Sequence, residues 1–211
     1  MRVIAGSARG RPLRPPRSGD TRPTSDLIKG VIFSALEAEA YKRGFEPNDE
    51  GAMATGLAWP RVLDLFAGSG ALGIEALSRG ARHADFVDNN ADALAAIGAN
   101  LRATGLEEYG TAHRGDAAES VARLRGAVDL VFVDPPYAAD ETLARVVRAL
   151  ARSDLLTPSS MVVLEAMAGG APPPAIGPLE QHSTRSHGRT RVTVYGTRRA
   201  ARAGTDQTPG C

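Results

Sequence analysis

The sequence has a single cysteine and no long apolar run. Cys211 is the last of 211 residues, so neither a disulfide framework nor a thiolate metal site is available, and we expect no bound metal. A membrane-spanning helix needs about eighteen consecutive apolar residues, which the sequence lacks. Its first residues carry scattered arginines without the apolar stretch of a signal peptide. We therefore expect a cytoplasmic protein with no membrane partner.

The net charge of +1 hides an uneven distribution along the chain. Residues 1–30 and residues 182–211 each carry +5, whereas the residues between them carry −9. Phosphate contacts supply most of the affinity for nucleic acids that is independent of base sequence, so basic ends on an acidic body indicate a polyanion that docks on peripheral segments. Residues 198–211 have little to bury, and we expect them to form a disordered basic tail.

The N-terminal part predicts a small basic extension. Arg2 to Ala5 read as a short strand, and the glycines and serine that follow allow a turn back into Pro12 to Arg14, which predicts a small basic β-hairpin. The apolar spacing from Ser25 to Arg43 is typical of an amphipathic helix. We treat residues 1–43 as an extension that faces nucleic acid. Residues 44–60 combine glycine, proline and acid without a period, which predicts a flexible loop.

From Arg61 onward, short apolar runs alternate with helical stretches. Such alternation is typical of parallel strands joined by helical crossovers, an α/β sheet covered on both faces. Two last strands, near Glu180 to Arg185 and near Arg191 to Tyr195, predict a closing antiparallel hairpin. We therefore expect one catalytic domain at 61–197, built on a mostly parallel seven-stranded sheet.

The first strand of this domain ends in the glycine-rich sequence DLFAGSGALG at 64–73. A G-x-G-x-x-G pattern between a strand and a helix allows a tight turn and close approach of the backbone to a ligand, beside the free N–H groups of a helix start. A turn that only packs the strand on the helix could use the same glycines. The pattern and its position favour a nucleoside cofactor.

Three acidic residues near strand ends narrow the choice of cofactor. Asp88 can accept hydrogen bonds from both ribose hydroxyls of an adenosine, a group that NAD and S-adenosylmethionine share. Asp64 lies beside the loop, where its charge repels a pyrophosphate but attracts a sulfonium or ammonium group, which favours S-adenosylmethionine. Asp116 can accept from an adenine amino group, with the Ala117 N–H also available, or can cap the helix that follows it.

The fourth strand is followed by Asp134, Pro135, Pro136 and Tyr137, the most specific motif of the sequence. Two prolines stop the strand and stiffen the backbone, leaving the Asp134 carboxylate and the Pro135 carbonyl as two acceptors for one NH2 group. An exocyclic amine held in this way has its lone pair available for attack. Tyr137 can stack on the base plane. The tetrad therefore predicts methylation of an amino group on a nucleobase.

With these motifs in place, the sequence resembles the RsmD family, bacterial methyltransferases that modify guanine N2 in small-subunit ribosomal RNA. The resemblance covers roughly residues 2–196. It is most specific in RVIAGSARGRPL, in RPTSD at 22–26 and in DLFAGSGALGIEALSRGA. Other amino-methyltransferases share the loop and the tetrad but lack the N-terminal signature. Ala8 is a departure, because many relatives carry an aromatic residue there.

The resemblance implies a Rossmann-like class I S-adenosylmethionine-dependent methyltransferase whose partner is 16S rRNA or the small ribosomal subunit, and we expect a monomer. The residues expected to bind the cofactor are Asp64, Phe66, Ala67, Gly68, Ser69, Gly70, Asp88, Asn89, Asp116 and Ala117. Those expected to hold the flipped guanine are Asp134, Pro135, Pro136 and Tyr137. Those expected to face RNA are Arg9, Arg11, Arg14, Arg22 and Thr24.

Four other functions account for part of the pattern. A DNA adenine-N6 or cytosine-N4 methyltransferase would share the loop and the tetrad, but too few residues follow the strand Met161 to Ala166 for a target-recognition domain. A protein glutamine-N5 methyltransferase usually has Asn at the first tetrad position and lacks basic ends. An NAD-dependent oxidoreductase leaves the tetrad unexplained, and a non-catalytic RNA-binding module leaves both motifs unexplained.

Overall fold

The structure, a computed structural model, describes residues 1–17, 25–45, 58–136 and 140–197. Within these ranges, helices and strands alternate from Arg61 to Met167, as predicted, and three further strands follow. The helices are α1 (Asp26–Lys42), α2 (Ala71–Ser78), α3 (Ala91–Thr104), α4 (Ala117–Arg123) and α5 (Asp140–Arg152), with a short 3-10 helix at Glu107–Tyr109. The strands are β1 (Arg61–Leu65), β2 (His83–Asp88), β3 (Gly110–Arg114), β4 (Val128–Val133), β5 (Leu156–Met167), β6 (Ala175–Ile176), β7 (Leu179–His187) and β8 (Thr190–Gly196).

All strands belong to one sheet, in the order β3-β2-β1-β4-β5-β8-β7-β6. The first five are parallel and the last three pair antiparallel, so the predicted Rossmann-like α/β fold with a terminal hairpin is confirmed. The sheet has eight strands rather than the predicted seven. The additional strand, β6, pairs through only Ala175 and Ile176, which is too short to produce a periodic pattern in the sequence.

Helices cover both faces of the sheet. One face packs against α1, α2 and α3, and the other packs against α4 and α5. In β4, Leu130 and Phe132 point into the first layer, whereas Val131 and Val133 point into the second, as the two-residue period of a strand requires. Because both layers are apolar, the central strands read as continuous apolar runs in the sequence.

The N-terminal segment turns back on itself as predicted, but it pairs through a single bridge and does not form the two strands of the predicted β-hairpin. One β-bridge joins Arg2 and Pro12, and backbone hydrogen bonds link Val3 with Arg11 and Leu13 with Met1. The helix predicted after it is present as α1. The hydroxyl of Ser25 caps α1 by accepting a hydrogen bond from the Ile28 N–H at 3.2 Å.

A buried carboxylate on α2 holds this segment against the fold. Glu75 is fully buried and accepts hydrogen bonds from the backbone N–H groups of Ile4 at 2.8 Å and Ala5 at 3.0 Å. It also forms ion pairs with Arg79 at 2.8 Å and with the fully buried Lys29 of α1 at 3.4 Å. A buried charge is tolerated only when it is paired and hydrogen-bonded. Glu75 therefore ties the first residues and α1 to α2.

The end of α2 adds a second attachment. The Ser78 hydroxyl donates to the Ala5 carbonyl at 2.6 Å and accepts from the Ala8 N–H at 2.9 Å. Gly6 has a φ of +82° between them, and a Cβ on it would lie 1.8 Å from the Ser78 carbonyl oxygen, so only glycine fits here. Ala8 is 4% exposed, and this position therefore faces the fold interior.

The predicted loop at 44–60 falls partly outside the described residues, as do residues 198–211, so flexibility of the loop and disorder of the tail stay predictions. At the end of the loop, Trp59 is 1% exposed and belongs to the apolar layer that contains α1. The Arg43 guanidinium lies 5.3 Å from the centre of its ring. One large side chain without a periodic context gives no helix or strand signal, which is why the sequence did not indicate this anchor.

Glu75→Ala should destabilise the protein by about 3–5 kcal/mol, because it leaves Lys29 and Arg79 as buried charges without their shared partner. The matched control is Glu119→Ala. Glu119 also pairs with an arginine one helical turn away, Arg123 at 2.9 Å, but both side chains are mostly exposed, and such pairs are worth less than about 1 kcal/mol. Urea denaturation of both variants measures the difference. Equal losses of stability would contradict the anchoring role of Glu75.

Candidate active site

The glycine loop and the tetrad leave the same edge of the sheet. β1 and β4 are neighbouring parallel strands, and their last residues Leu65 and Val133 are in register. The Asp134 N–H points to the Leu65 carbonyl at 3.5 Å. β2 lies on the other side of β1, with Val87 in register with Leu65. β2 and β3 are thus added on one side of β1, and β4 and β5 on the other side. Such a change of side is where α/β sheets open a crevice for ligands.

The loop after β1 has a strained and closely packed backbone. Phe66 has a φ of +64°, the one positive φ of a non-glycine residue in the described ranges, and Gly68 and Gly70 also have positive φ. A non-glycine residue in this region costs of order 1–3 kcal/mol. At Gly73, a Cβ would lie 2.3 Å from the Phe86 ring. The glycines therefore permit both the turn and the close approach of α2 to β2.

Asp88 holds the loop in place from the end of β2. Its carboxylate accepts hydrogen bonds from the Gly68 N–H and from the Asn90 N–H, both at 2.9 Å. Each carboxylate oxygen has two acceptor positions, so Asp88 keeps capacity for further donors such as hydroxyls. Asn89 is exposed beside it, and Asn90 caps α3 by accepting from the Asp92 N–H at 2.8 Å.

Asp64 is a buried acid directly beneath the loop. It is 2% exposed and accepts a hydrogen bond from the Gly73 N–H at 2.9 Å. Burial, helped by the nearby charges of Asp134 and Asp88, raises the pKa of Asp64 to about 7, although the hydrogen bond from Gly73 opposes the shift. A cation placed among these three carboxylates would favour the ionised form. The electrostatics of the crevice therefore suit a positively charged ligand.

Asp116 caps α4, which is one of the two roles predicted for it. Its carboxylate accepts from the Glu119 N–H at 3.1 Å and pairs with Arg145 of α5 at 3.3 Å. Ala117 follows it and is buried, and the preceding Gly115 N–H donates to the Asp88 carbonyl at 3.0 Å. The cap and the ion pair fix Asp116 beside the end of β2. A contact with adenine stays a prediction.

The tetrad is described up to its third residue. The Asp134 side chain is half-buried, Pro135 is buried and Pro136 is exposed. Tyr137 lies outside the described residues, so its stacking role stays a prediction. The Asp134 carboxylate is close enough to raise the pKa of Asp64 electrostatically. The tetrad and the glycine loop therefore lie in one crevice.

Arg14 lies beside the glycine loop. Its backbone N–H donates to the Asn100 side-chain oxygen at 2.9 Å, and the amide nitrogen of Asn100 donates to the carbonyls of Arg14 and Ser69 at 2.9 and 2.8 Å. Arg9 lies in the turn held by Ser78 at the opposite end of α2, an eight-residue helix roughly 12 Å long at about 1.5 Å per residue.

The predicted RNA-facing residues are therefore spread along α2 rather than gathered beside the loop. Arg9, Arg11 and Arg14 are all exposed. Arg22 and Thr24 lie outside the described residues, and their roles stay predictions. Among the described RNA-facing candidates, Arg14 is the one that hydrogen bonds through Asn100 hold beside the glycine loop of the crevice.

A family model described as Conserved hypothetical protein 95 matches residues 1–196. The chain belongs to this family. It is 33% identical to the putative rRNA methyltransferase YlbH of Bacillus subtilis, over 92% of this chain and 98% of the relative. It is 27% identical to Ribosomal RNA small subunit methyltransferase D of Escherichia coli K12, over 92% of this chain and 89% of the relative. The resemblance to the RsmD family is thereby confirmed.

Solved structures of similar chains share the family fold over nearly its full length. The putative methyltransferase yhhF from Escherichia coli superposes with a TM-score of 0.71 at 25% identity, covering 94% of this chain and 99% of that one. A hypothetical protein of Thermus thermophilus gives a TM-score of 0.70 at 26% identity, covering 93% and 99%. The fold is that of class I methyltransferases, and the crevice described above belongs to it.

Two residues of the site were missed by sequence reasoning. Asn100, 1% exposed, joins Arg14 to the loop, and Glu75 joins the N-terminal segment to α2. Asn100 lies between Ile97 and Leu101 on α3, and Glu75 lies within the run Ala71–Ser78 of α2. Each is a polar residue on an otherwise apolar helix face. A polar residue at a core position signals a buried hydrogen-bond partner, but it does not identify that partner.

Neither a metal centre nor a membrane span is found in the described part of the chain. Its His, Cys, Asp and Glu residues form no group of three or more that could hold a metal ion. Its helices are too short or too polar to cross a membrane.

The raised pKa of Asp64 predicts a pH-dependent stability. An aspartate in the unfolded chain loses its proton near pH 4, whereas folded Asp64 keeps it up to about pH 7. The folded state therefore binds more protons in this window, and stability should fall as pH rises from about 4 to about 7, then level off. Asp64→Asn should remove this contribution, because an amide does not titrate. Parallel pH profiles of the two proteins in urea denaturation would contradict the assignment.

Proposed function

We propose that the protein transfers a methyl group from S-adenosylmethionine to the exocyclic N2 amino group of a guanine in 16S ribosomal RNA. The observation that carries the proposal is the register of β1 and β4, which brings the glycine loop with Asp64 and the Asp134 motif to one crevice. The relatives named as rRNA methyltransferases support RNA as the substrate. The proposed substrate form is 16S rRNA, free or within the small ribosomal subunit, bound by a monomer.

The residues of the crevice fit S-adenosylmethionine by their chemistry. The remaining acceptor positions of Asp88 suit ribose hydroxyls, and the buried Asp64 suits a positively charged group. Further proposed cofactor contacts come from Phe66, Ala67, Gly68, Ser69, Gly70, Asn89, Asp116 and Ala117. When bound, the cofactor supplies an electrophilic methyl group on a sulfonium. The same buried acid would disfavour the pyrophosphate of NAD.

Asp134 and Pro135 orient the amine. The carboxylate of Asp134 and the carbonyl of Pro135 each accept one hydrogen bond from the NH2 group, which keeps the nitrogen lone pair free for attack. The amine nitrogen becomes acidic once it is alkylated, and Asp134 or water takes its proton. Pro136 stiffens the backbone after these acceptors, and Tyr137 stacks on the base. Positioning supplies up to about 7–11 kcal/mol of acceleration in favourable cases.

The basic N-terminal segment is proposed to hold the RNA. A base within a helix or packed loop must be turned out to reach the crevice, which costs a few kcal/mol of stacking and pairing. Phosphate contacts to Arg9, Arg11 and Arg14 offset that cost, and Arg22 and Thr24 are proposed to contribute further RNA contacts. Because Arg14 is held beside the loop through Asn100, RNA docked there is close to the bound cofactor.

Asp134→Ala should lower kcat for RNA methylation by about a hundredfold or more while cofactor affinity stays near that of the wild type. The matched control is Asp154→Ala, which removes an exposed aspartate just before β5, at the opposite edge of the sheet, and should change neither quantity. Radiolabelled methyl transfer gives kcat, and calorimetry gives cofactor affinity. A full rate in Asp134→Ala would remove this residue from the mechanism.

Replacing Arg9 and Arg11 together with Ala should weaken RNA binding and reduce its log-log salt slope by about 0.7–0.9 for each phosphate that is no longer neutralised. Arg123 and Arg125, exposed near the end of α4, provide a control pair with the same change in charge. Fluorescence anisotropy at several salt concentrations measures both quantities. If the affinity and the slope match those of the control pair, docking on the N-terminal segment is wrong.

A further inference from the structure

The β7–β8 hairpin projects from the edge of the sheet that holds the active site. Val133, the last residue of β4, is in register with Leu164 of β5. β5 continues to Met167, which is opposite Thr190, the first residue of β8. At about 3.3 Å per residue, β5 and the hairpin therefore extend roughly 10 Å beyond the level at which β4 ends and the Asp134 motif begins. The turn at Gly188 forms the tip.

The tip is basic and its charge is not neutralised. Arg185, His187 and Arg189 are exposed, and in the described part of the chain neither arginine forms an ion pair. The acid of this hairpin, Glu180, is opposite Gly196 at the other end of β7. On β5, Glu165 faces Val192 of β8, but it is 6% exposed and therefore buried. The positive charge thus faces the solvent beside the crevice.

Apolar surface adjoins this charge. Met167 is 48% exposed. It is opposite Thr190, which is in turn opposite His187, and directly opposed residues in antiparallel strands point to the same face. A base can stack on the imidazole of His187 and the thioether of Met167, and a phosphate can pair with the neighbouring arginines. This combination fits a nucleic acid strand better than a small free anion.

We infer that the tip of the β7–β8 hairpin, defined by Arg185, His187 and Arg189, is a second RNA-binding surface. The inference rests on the proposed function. In the sheet, β4 separates β1 with its glycine loop from β5 and β8. Arg14 therefore lies on one side of the Asp134 motif and the hairpin tip on the other. RNA held by phosphates on both sides presents the nucleotide between them to the crevice, which helps to offset the cost of turning it out.

The test is the double variant Arg185→Ala with Arg189→Ala, assayed for methylation of 16S rRNA and of small ribosomal subunits. Its control is Arg148→Ala with Arg152→Ala, which removes two exposed arginines from the end of α5, near the opposite edge of the sheet. The hairpin variant should raise KM for both RNA substrates by about tenfold or more and flatten the salt slope by about 0.7–0.9 for each phosphate released. Saturating kcat and cofactor affinity should equal those of the control.

Three outcomes would overturn the inference while leaving the proposed function intact, because wild-type methylation is measured in the same assay. The first is a KM and salt slope equal to those of the control variant. The second is a lower saturating kcat with unchanged KM, which would indicate positioning rather than docking. The third is a defect confined to ribosomal subunits with normal methylation of naked 16S rRNA, which would indicate a ribosomal protein as the partner of the tip. Absence of methyl transfer by the wild type would instead overturn the proposed function.

Discussion

The buried charge of Glu75 is the constraint on which the rest of the structure depends. A carboxylate without solvent needs donors on all sides, and it finds them in the N–H groups of Ile4 and Ala5 and in the side chains of Lys29 and Arg79. These donors come from the N-terminal segment, α1 and α2. Because α2 begins at the glycine loop, these contacts connect residues 4–5 and α1 to the loop through a single helix.

A second constraint is the strand order at the edge of the sheet where the parallel strands end. The order β2-β1-β4-β5 opens the crevice beside β1, and three acids, Asp64, Asp88 and Asp134, converge on it. This acidic crevice lies between Arg14 on one side and the β7–β8 hairpin on the other. Within the described residues, the acids of the crevice are thus separated in space from Arg14 and from the arginines of the hairpin tip.

The sequence was sufficient for the parts of the fold and site that depend on local pattern. Apolar runs and glycines are local signals, so the alternation of strands and helices, the turn at Gly68 and the position of Asp88 were all predictable. The contacts of Asn100 and Glu75 were not, because each joins segments about 70 or more residues apart. The burial of Trp59 and the start of β5 at Leu156, ahead of the predicted strand Met161 to Ala166, also depend on tertiary packing and strand pairing, which a single sequence does not encode locally.

The most direct test of the account is to identify the methylated nucleoside. The protein is incubated with 16S rRNA or small ribosomal subunits and methyl-labelled S-adenosylmethionine, with DNA and total protein as parallel substrates, and labelled RNA is digested to nucleosides and analysed by mass spectrometry. The account predicts label in RNA alone, recovered as N2-methylguanosine at a single position. Label in DNA or protein, or on an adenine or cytosine of the RNA, would contradict it.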